Sequence, residues 1–165
     1  MQRKLIKRKF KFNVKNKMGI FISNTSTQMN FYAQMYNESD NLLFIFLIEC
    51  LYDNEHGQYE NAKGKILGAV KDPESIEEER FLLETLMDIE MLNEKYETAL
   101  YYCKKLLELS PNNLDFIYTC STLYYFNLLI TESSELLNRL SKLDTIGLYE
   151  KDIEILYNKI LEEVS

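Results

Sequence analysis

The chain is poor in residues that interrupt or cross-link a polypeptide. Its 165 residues include five glycines, two prolines, one histidine and no tryptophan. So little glycine and proline excludes a collagen-like or low-complexity chain. A content of 46% hydrophobic and 27% charged residues is typical of roughly one globular domain.

Cysteine is scarce as well. Cys50, Cys103 and Cys120 are odd in number, lie far apart in the sequence, and form no C-x-x-C pair. With His56 as the single histidine, we expect neither a disulfide framework nor a zinc site, and no other metal or cofactor. Each cysteine lies in an apolar helical pattern, which predicts small buried side chains in a reducing compartment.

Long apolar runs are missing too. The longest, Leu42 to Ile48, is broken at Glu49 and is far shorter than the roughly 20 residues that span a bilayer, so we expect no membrane helix. No apolar segment follows the basic N-terminal residues, which argues against a secretory signal. The sequence therefore predicts an intracellular, cytoplasmic protein. The lack of acidic residues before Glu38 leaves organellar targeting as the alternative.

Acidic charge is absent from one end of the chain. Residues 1–17 carry eight basic side chains; removing them from the 19 basic and 26 acidic residues of the chain leaves 11 and 26, a net charge of −15. We name residues 1–17 the basic arm. Its charges are Arg3, Lys4, Lys7, Arg8, Lys9, Lys11, Lys15 and Lys17.

The basic arm also has an apolar pattern. Phe10, Phe12 and Val14 recur at period two, which predicts one face of a strand in a small β-hairpin. A flexible arm that orders only on a partner is an equally good interpretation. We therefore divide the chain into an arm or hairpin over residues 1–27 and a helical domain over residues 28–165.

After the arm, apolar residues recur at helical period between regular capping and breaking residues. Ser75 and Glu78 have the spacing of a capping box. The predicted helices run from a cap at Ser39 or Asp40 to Asn54, from Tyr59 to Val70, from Ser75 to Leu92, from Lys95 to Leu109, from Asn113 to Leu129, from Thr131 to Leu143, and from Leu148 to Val164, the last as a capping helix.

Residue intervals indicate a repeat in this domain. The four residues from Tyr59 to Ala62 return 37 positions later as Tyr96 to Ala99, and Ser133 follows Ala99 by 34. Small side chains at these positions would let the second helix of each pair lie close to its neighbour.

The window from Arg80 to Asn113 resembles the tetratricopeptide repeats, and it matches best from Tyr96 onward. Met87 and Glu94 depart from the usual glycines. Weaker units resembling the family occupy residues 43–73 and 114–143. The resemblance implies an all-α fold of three stacked antiparallel helix pairs, forming a short solenoid with a C-terminal capping helix.

In this family the first helix of each pair lines a concave groove. The resemblance implies that the groove is apolar, acidic and aromatic in turn, and suited to a segment with apolar and basic residues. An acidic stripe would repel the carboxylate tails that some members bind. Alternatively, Tyr118 and Tyr125 are only packing residues or residues of a solvated face. The implied groove residues are Leu47, Leu51, Asn54, Glu84, Asp88, Met91, Tyr118, Thr122 and Tyr125.

Two functions follow. The first is a non-catalytic protein-interaction module, an adaptor, scaffold or chaperone-type protein, since no enzyme motif occurs and His56 has no evident catalytic partner. The second is a nucleic-acid-associated regulator or ribonucleoprotein component whose basic arm contacts phosphate. The arm could also dock on the acidic body, either its own or that of a second copy in a homo-oligomer.

Overall fold

The computed structural model describes residues 27–164, and this part of the chain consists of helices joined by turns. That confirms the all-α expectation for these residues. The basic arm and the alternative hairpin lie outside the described residues. The helices are α1 Thr27–Ser39, α2 Leu42–Glu55, α3 Tyr59–Val70, α4 Ile76–Leu92, α5 Tyr96–Leu109, α6 Leu114–Phe126, α7 Ile130–Leu143 and α8 Glu150–Val164. The sequence pattern did not predict α1 as a separate helix.

Side chains cap the helices α2, α4 and α6. Ser75 Oγ accepts the Glu78 N–H at 3.0 Å, and Asn113 Oδ1 accepts the Phe116 N–H at 3.0 Å, as the cap predictions required. The predicted cap of α2 is wrong by one or two residues, since Asn41 Oδ1 accepts the Leu43 N–H at 3.0 Å. A short polar side chain there satisfies a backbone donor that the helix leaves unpaired.

One turn recurs between the paired helices. After α2, α4 and α6 the chain enters the left-handed region at Gly57, Glu94 and Leu128, with φ of 77°, 58° and 60°. In each turn the next N–H donates back five residues, for example from Gln58 to the Asp53 carbonyl at 2.8 Å, which is the Schellman arrangement. The three turns have the same separations as the sequence repeat, so the backbone recurs at the intervals found in the sequence.

The left-handed turn also corrects one helix end. We expected the helix after Asn113 to continue to Leu129, but α6 ends at Phe126 because Leu128 has φ 60°. A left-handed residue cannot continue a right-handed helix.

These turns carry a prediction about stability. Leu128 is 76% exposed and bears the cost of a left-handed backbone, so Leu128→Gly should raise the free energy of unfolding by about 0.5–1 kcal/mol. Gly57→Ala should lower it by about 1 kcal/mol through the backbone alone, because nothing lies within 4 Å of the added Cβ. Urea denaturation measures both. A loss of stability in Leu128→Gly would contradict the assignment of strain.

The chain forms two compact units, which divide between Asp72 and Pro73. In the first, α2 packs against both α1 and α3. Its fully buried side chains include Tyr32, Leu47 and Ile66. Their contacts close an apolar core between the three helices.

Beside that core lies an ion network between α2 and α3. Lys65 Nζ lies 2.7 Å from Asp53 Oδ2 and 3.1 Å from Glu49 Oε1, and Asn61 Nδ2 donates to Asp53 Oδ2 at 3.2 Å. Burial opposes the charge on Lys65, but its hydrogen bonds to Asp53 and Glu49 outweigh that effect and raise its pKa. Burial raises the pKa of the neighbouring Cys50 thiol to about 12, so this cysteine is inert as a nucleophile.

In the second unit the helices from α4 to α7 pack in chain order, and α8 packs against α7 and α6. The repeated small residues are fully buried: Ala99 in α5 and Ser133 in α7, matched by Ala62 in the first unit. Ser133 Oγ donates to the Ser121 carbonyl at 2.8 Å, and Ser121 Oγ donates to the Ser133 carbonyl at 2.9 Å. Hydroxyls reach the backbone of the facing helix in this way only where the helices approach closely, which confirms the expected role of small residues.

The expectation of three unpaired cysteines is wrong. All three are buried, but Cys103 in α5 and Cys120 in α6 form a disulfide with Cα atoms 5.7 Å apart. They are 17 residues apart in the sequence and lie at facing positions of consecutive helices. A residue count could not show this, because it depends on how the two helices meet.

Candidate functional site

The apolar end of the implied groove lies inside the first unit. Leu47 and Leu51 of α2 are 0% and 2% exposed. They belong to the core of that unit and present no surface to a ligand. Asn54 lies half-buried at the end of the same helix.

The acidic stripe lies on α4 of the second unit. Glu84, Asp88 and Met91 are half-buried, at the edge of the face that buries Leu86 and Ile89. Their spacing of i, i+4 and i+7 keeps them on one side of the helix. The stripe therefore remains partly accessible beside the core.

The aromatic stripe lies on α6. Tyr118, Thr122 and Tyr125 are also half-buried. Thr122 Oγ1 donates to the Tyr118 carbonyl at 3.1 Å, which occupies its hydroxyl proton within the helix. The Asp115 carboxylate, in the first turn of α6, acts electrostatically on Glu84 of α4.

Glu84 has a perturbed carboxyl on this face. Burial raises its pKa above the ordinary 4.5, the Arg80 guanidinium works against that shift, and the Asp115 carboxylate adds to it. The ionised form of Glu84 is thus disfavoured mainly by burial, and the Arg80 guanidinium offsets only part of that effect. We name Arg80, Glu84, Asp88, Asp115 and Thr122 the acidic face of the second unit.

Because the pKa of Glu84 is raised in the folded chain, the free energy of unfolding depends on pH. A raised folded-state pKa means that the folded chain holds the Glu84 proton more tightly than the unfolded chain. The associated stability is fully present below about pH 4.5 and is lost as the pH rises through the folded-state pKa. Glu84→Gln should therefore be more stable than the parent at pH 7, and equal to it at pH 4 and below.

Urea denaturation at pH 7 and pH 4 measures this difference. The control is Glu135→Gln, an exposed carboxyl on α7, which should change stability by less than about 0.5 kcal/mol at either pH. A gain in Glu84→Gln that persisted at pH 4 would show that the cause is not the carboxylate charge.

Helix α8 covers much of the aromatic stripe. Tyr118 and Tyr125 pack against a cluster of Leu137, Leu156 and Ile160. The Tyr149 ring lies 5.5 Å from that of Tyr118, measured between centroids. Packing, the alternative role for the two tyrosines, therefore accounts for a good part of their surface.

Polar groups of α8 also act on these tyrosines. Burial and the Asp152 carboxylate raise the pKa of Tyr118, against the effect of its hydrogen bond with Thr122. Burial and the carboxylates of Glu163 and Glu162 raise the pKa of Tyr125. Both phenols therefore stay protonated, as hydrogen-bond donors, at neutral pH.

Two contributors to this face were missed by sequence reasoning. Arg80 precedes Glu84 by one helical turn, a spacing of i, i+4 that does signal a shared side of the helix. Tyr149 donates its hydroxyl to the Asp115 carboxylate. No sequence signal places Tyr149 there, because it is distant in the sequence and lies in the link just before α8.

The described residues offer little else for chemistry. His56 is exposed in the first turn, with Nδ1 2.8 Å from the Tyr52 carbonyl and its ring 3.8 Å from the Tyr52 ring. Between residues 27 and 164, no three His, Cys, Asp or Glu side chains are grouped so as to hold a metal ion. Within the same range, no helix is both long and apolar enough to cross a membrane.

Comparison with known proteins assigns no family. No protein-family model matches the chain, and no curated protein matches it significantly. The eight charges of the basic arm lie outside the described residues, so this candidate nucleic-acid contact stays a prediction.

Proposed function

We propose that the chain is a non-catalytic protein-interaction module of the tetratricopeptide type. The Schellman turns, which recur at the intervals of the sequence repeat, support the family, as do the buried small residues Ala62, Ala99 and Ser133. The family usually has glycine at this turn and a small residue in the second helix. The chain has the small residue in each pair, but only the first turn has glycine, at Gly57. The family assignment is a proposal that rests on this recurring geometry.

We propose further that the acidic face binds an extended segment with basic and apolar residues. The observation that carries this proposal is the half-buried carboxylate of Glu84 on the acidic face; burial and the Asp115 carboxylate both raise its pKa. An arriving lysine or arginine would supply further positive charge and hold the carboxyl ionised. Met91, half-buried on the same stripe, would add apolar contact.

A peptide selection tests this binding. Twelve-residue peptides are selected on the full chain, and their affinities are measured by fluorescence anisotropy. We expect selected peptides to carry arginine or lysine with apolar residues, and to bind Glu84→Gln at least tenfold more weakly. Glu135→Gln is the matched control on exposed α7 and should bind as the parent does. Equal binding to parent and Glu84→Gln would overturn the proposed site.

The second candidate function uses the basic arm. Eight basic residues and no acidic one within residues 1–17 favour phosphate contact. If the arm binds RNA or DNA, log affinity should fall linearly with log salt, and binding should vanish when residues 1–17 are deleted. Unchanged binding after the deletion would exclude this function.

The disulfide bears on the proposed location. A reducing, cytoplasmic compartment was expected from unpaired cysteines, and the Cys103 to Cys120 bond removes that support. The number of reactive thiols in the protein denatured without reductant shows whether the bond between Cys103 and Cys120 forms.

A further inference from the structure

Helix α8 rests on a hydrophobic cluster of its own. Leu137 of α7 and the two side chains Leu156 and Ile160 of α8 are buried together. Half-buried neighbours complete the cluster: Tyr118, Tyr125, Ile130, Ile153 and Tyr157. We name these residues the α8 cluster.

The α8 side of the cluster is a narrow stripe. Ile153, Leu156, Tyr157 and Ile160 have the spacing i, i+3, i+4 and i+7, which is how an amphipathic helix presents anchors to a groove. Leu161, the next apolar residue after Ile160, is 62% exposed. Ile155, on the outer side, is 54% exposed. The four side chains of the stripe are the apolar contribution of α8 to the α8 cluster.

The opposite side of the cluster is a groove between α6 and α7. It is lined by Tyr118 and Tyr125 of α6 and by Ile130 and Leu137 of α7. At its edge, Tyr157 of α8 donates its hydroxyl to Asn138 Oδ1 at 2.7 Å. The groove thus combines aliphatic side chains from α7, aromatic side chains from α6 and a hydrogen-bond acceptor, Asn138, at its edge.

The link between α7 and α8 is a short turn held by the Asp144 carboxylate. Asp144 accepts the N–H groups of Leu148 at 2.9 Å and Tyr149 at 2.6 Å, and Gly147 has a left-handed φ of 71°. Ile146 and Leu148 are exposed. Because α8 is the last described helix and packs only against α6 and α7 within residues 27–164, it can leave without interrupting the contacts between α4, α5, α6 and α7.

We infer that the groove between α6 and α7 is a binding site for an amphipathic helix, and that α8 is its built-in occupant. A partner helix with aliphatic residues at i, i+3 and i+7 and a tyrosine at i+4 would take the place of α8. This pattern of partner residues is that of Ile153, Leu156, Tyr157 and Ile160 of α8, which occupy the groove. The inference goes beyond the proposed function, since neither Glu84 nor any other residue of α4 takes part.

The test uses a fluorescein-labelled peptide with the sequence of residues 148–164 and the full-length chain. In the wild-type chain the tethered α8 competes at high effective concentration, so the peptide should bind weakly. In the full-length variant Leu156→Asp with Ile160→Asp, α8 can no longer hold its place. The peptide should bind this variant at least tenfold more tightly than the wild type.

Matched peptides identify the contact. A peptide with Leu156→Asp and Ile160→Asp should bind the variant chain at least tenfold more weakly than the natural peptide. A peptide with Ile155→Asp should bind within twofold of it, because that side chain faces away from the groove. Equal binding by all three peptides, or none, would overturn the inference.

Hydrogen exchange covers the case in which α8 is required for folding. In the wild-type chain, the amides of α8 should exchange faster than those of α6 and α7, and in the variant only α8 should lose protection. Loss of protection throughout α4 to α7 would make α8 an integral cap and overturn the inference. Binding of selected peptides on the acidic face is read out by Glu84→Gln and binding in the groove by Leu156→Asp with Ile160→Asp, so failure of one proposal is distinguishable from failure of the other.

Discussion

Ser133→Leu is expected to destabilise the second unit by about 3–5 kcal/mol, enough to unfold a marginal domain. Ser133 is fully buried between α7 and α6, and its hydroxyl and carbonyl both bond to Ser121. Leucine would force the helices apart, at about 1–3 kcal/mol for overpacking. It would also remove the hydroxyl that donates to the buried Ser121 carbonyl, at about 1–3 kcal/mol more.

Urea denaturation followed by circular dichroism measures this loss. Ser133→Ala keeps the space and removes only the hydroxyl, so it should cost about 1 kcal/mol. Ser141→Leu places leucine at an exposed position of the same helix and should change stability by less than about 0.5 kcal/mol. If Ser133→Leu were as stable as the parent, the helices would not approach closely at this point.

The same small residues show why much of the fold was predictable. Ala62, Ala99 and Ser133 lie at fixed intervals in the sequence. They are buried because each helix pair needs a small side chain where its two helices approach closely. Capping residues such as Ser75 and Asn113 act on backbone groups two or three residues away, which a local pattern can report. The period of the apolar residues and the positions of capping and breaking residues are local properties of the sequence, and the helices can be predicted from them.

The candidate site depended more on contacts between distant residues. Tyr118 and Tyr125 have the same helical spacing whether they face solvent or another helix, and only the seating of α8 decides how much of each is covered. Leu47 and Leu51 were placed in a groove by alignment to a family whose first unit they match weakly, and they lie in the core. Spacing reports which side of a helix a residue occupies, and not what lies opposite.

The cysteine pair is another case of this kind, and it carries the second large effect. Replacing Cys103 and Cys120 with alanine should lower the free energy of unfolding by about 3 kcal/mol, the chain-entropy value for a closed loop of about 15 residues. The disulfide joins α5 to α6 in the core of the second unit. Because it closes a loop across 17 positions of the sequence, it restricts the conformations of the unfolded chain. The urea midpoint of the double variant should also be insensitive to reductant, whereas that of the parent should fall.

Cys50→Ala is the matched control, because Cys50 is buried and free in the first unit. This variant should keep the sensitivity to reductant. In the parent, thiol titration after denaturation without reductant should find one reactive group, and in Cys50→Ala none. Three thiols in the denatured parent would show that the pair is reduced, and its stabilisation would then have to come from packing of the two buried side chains alone.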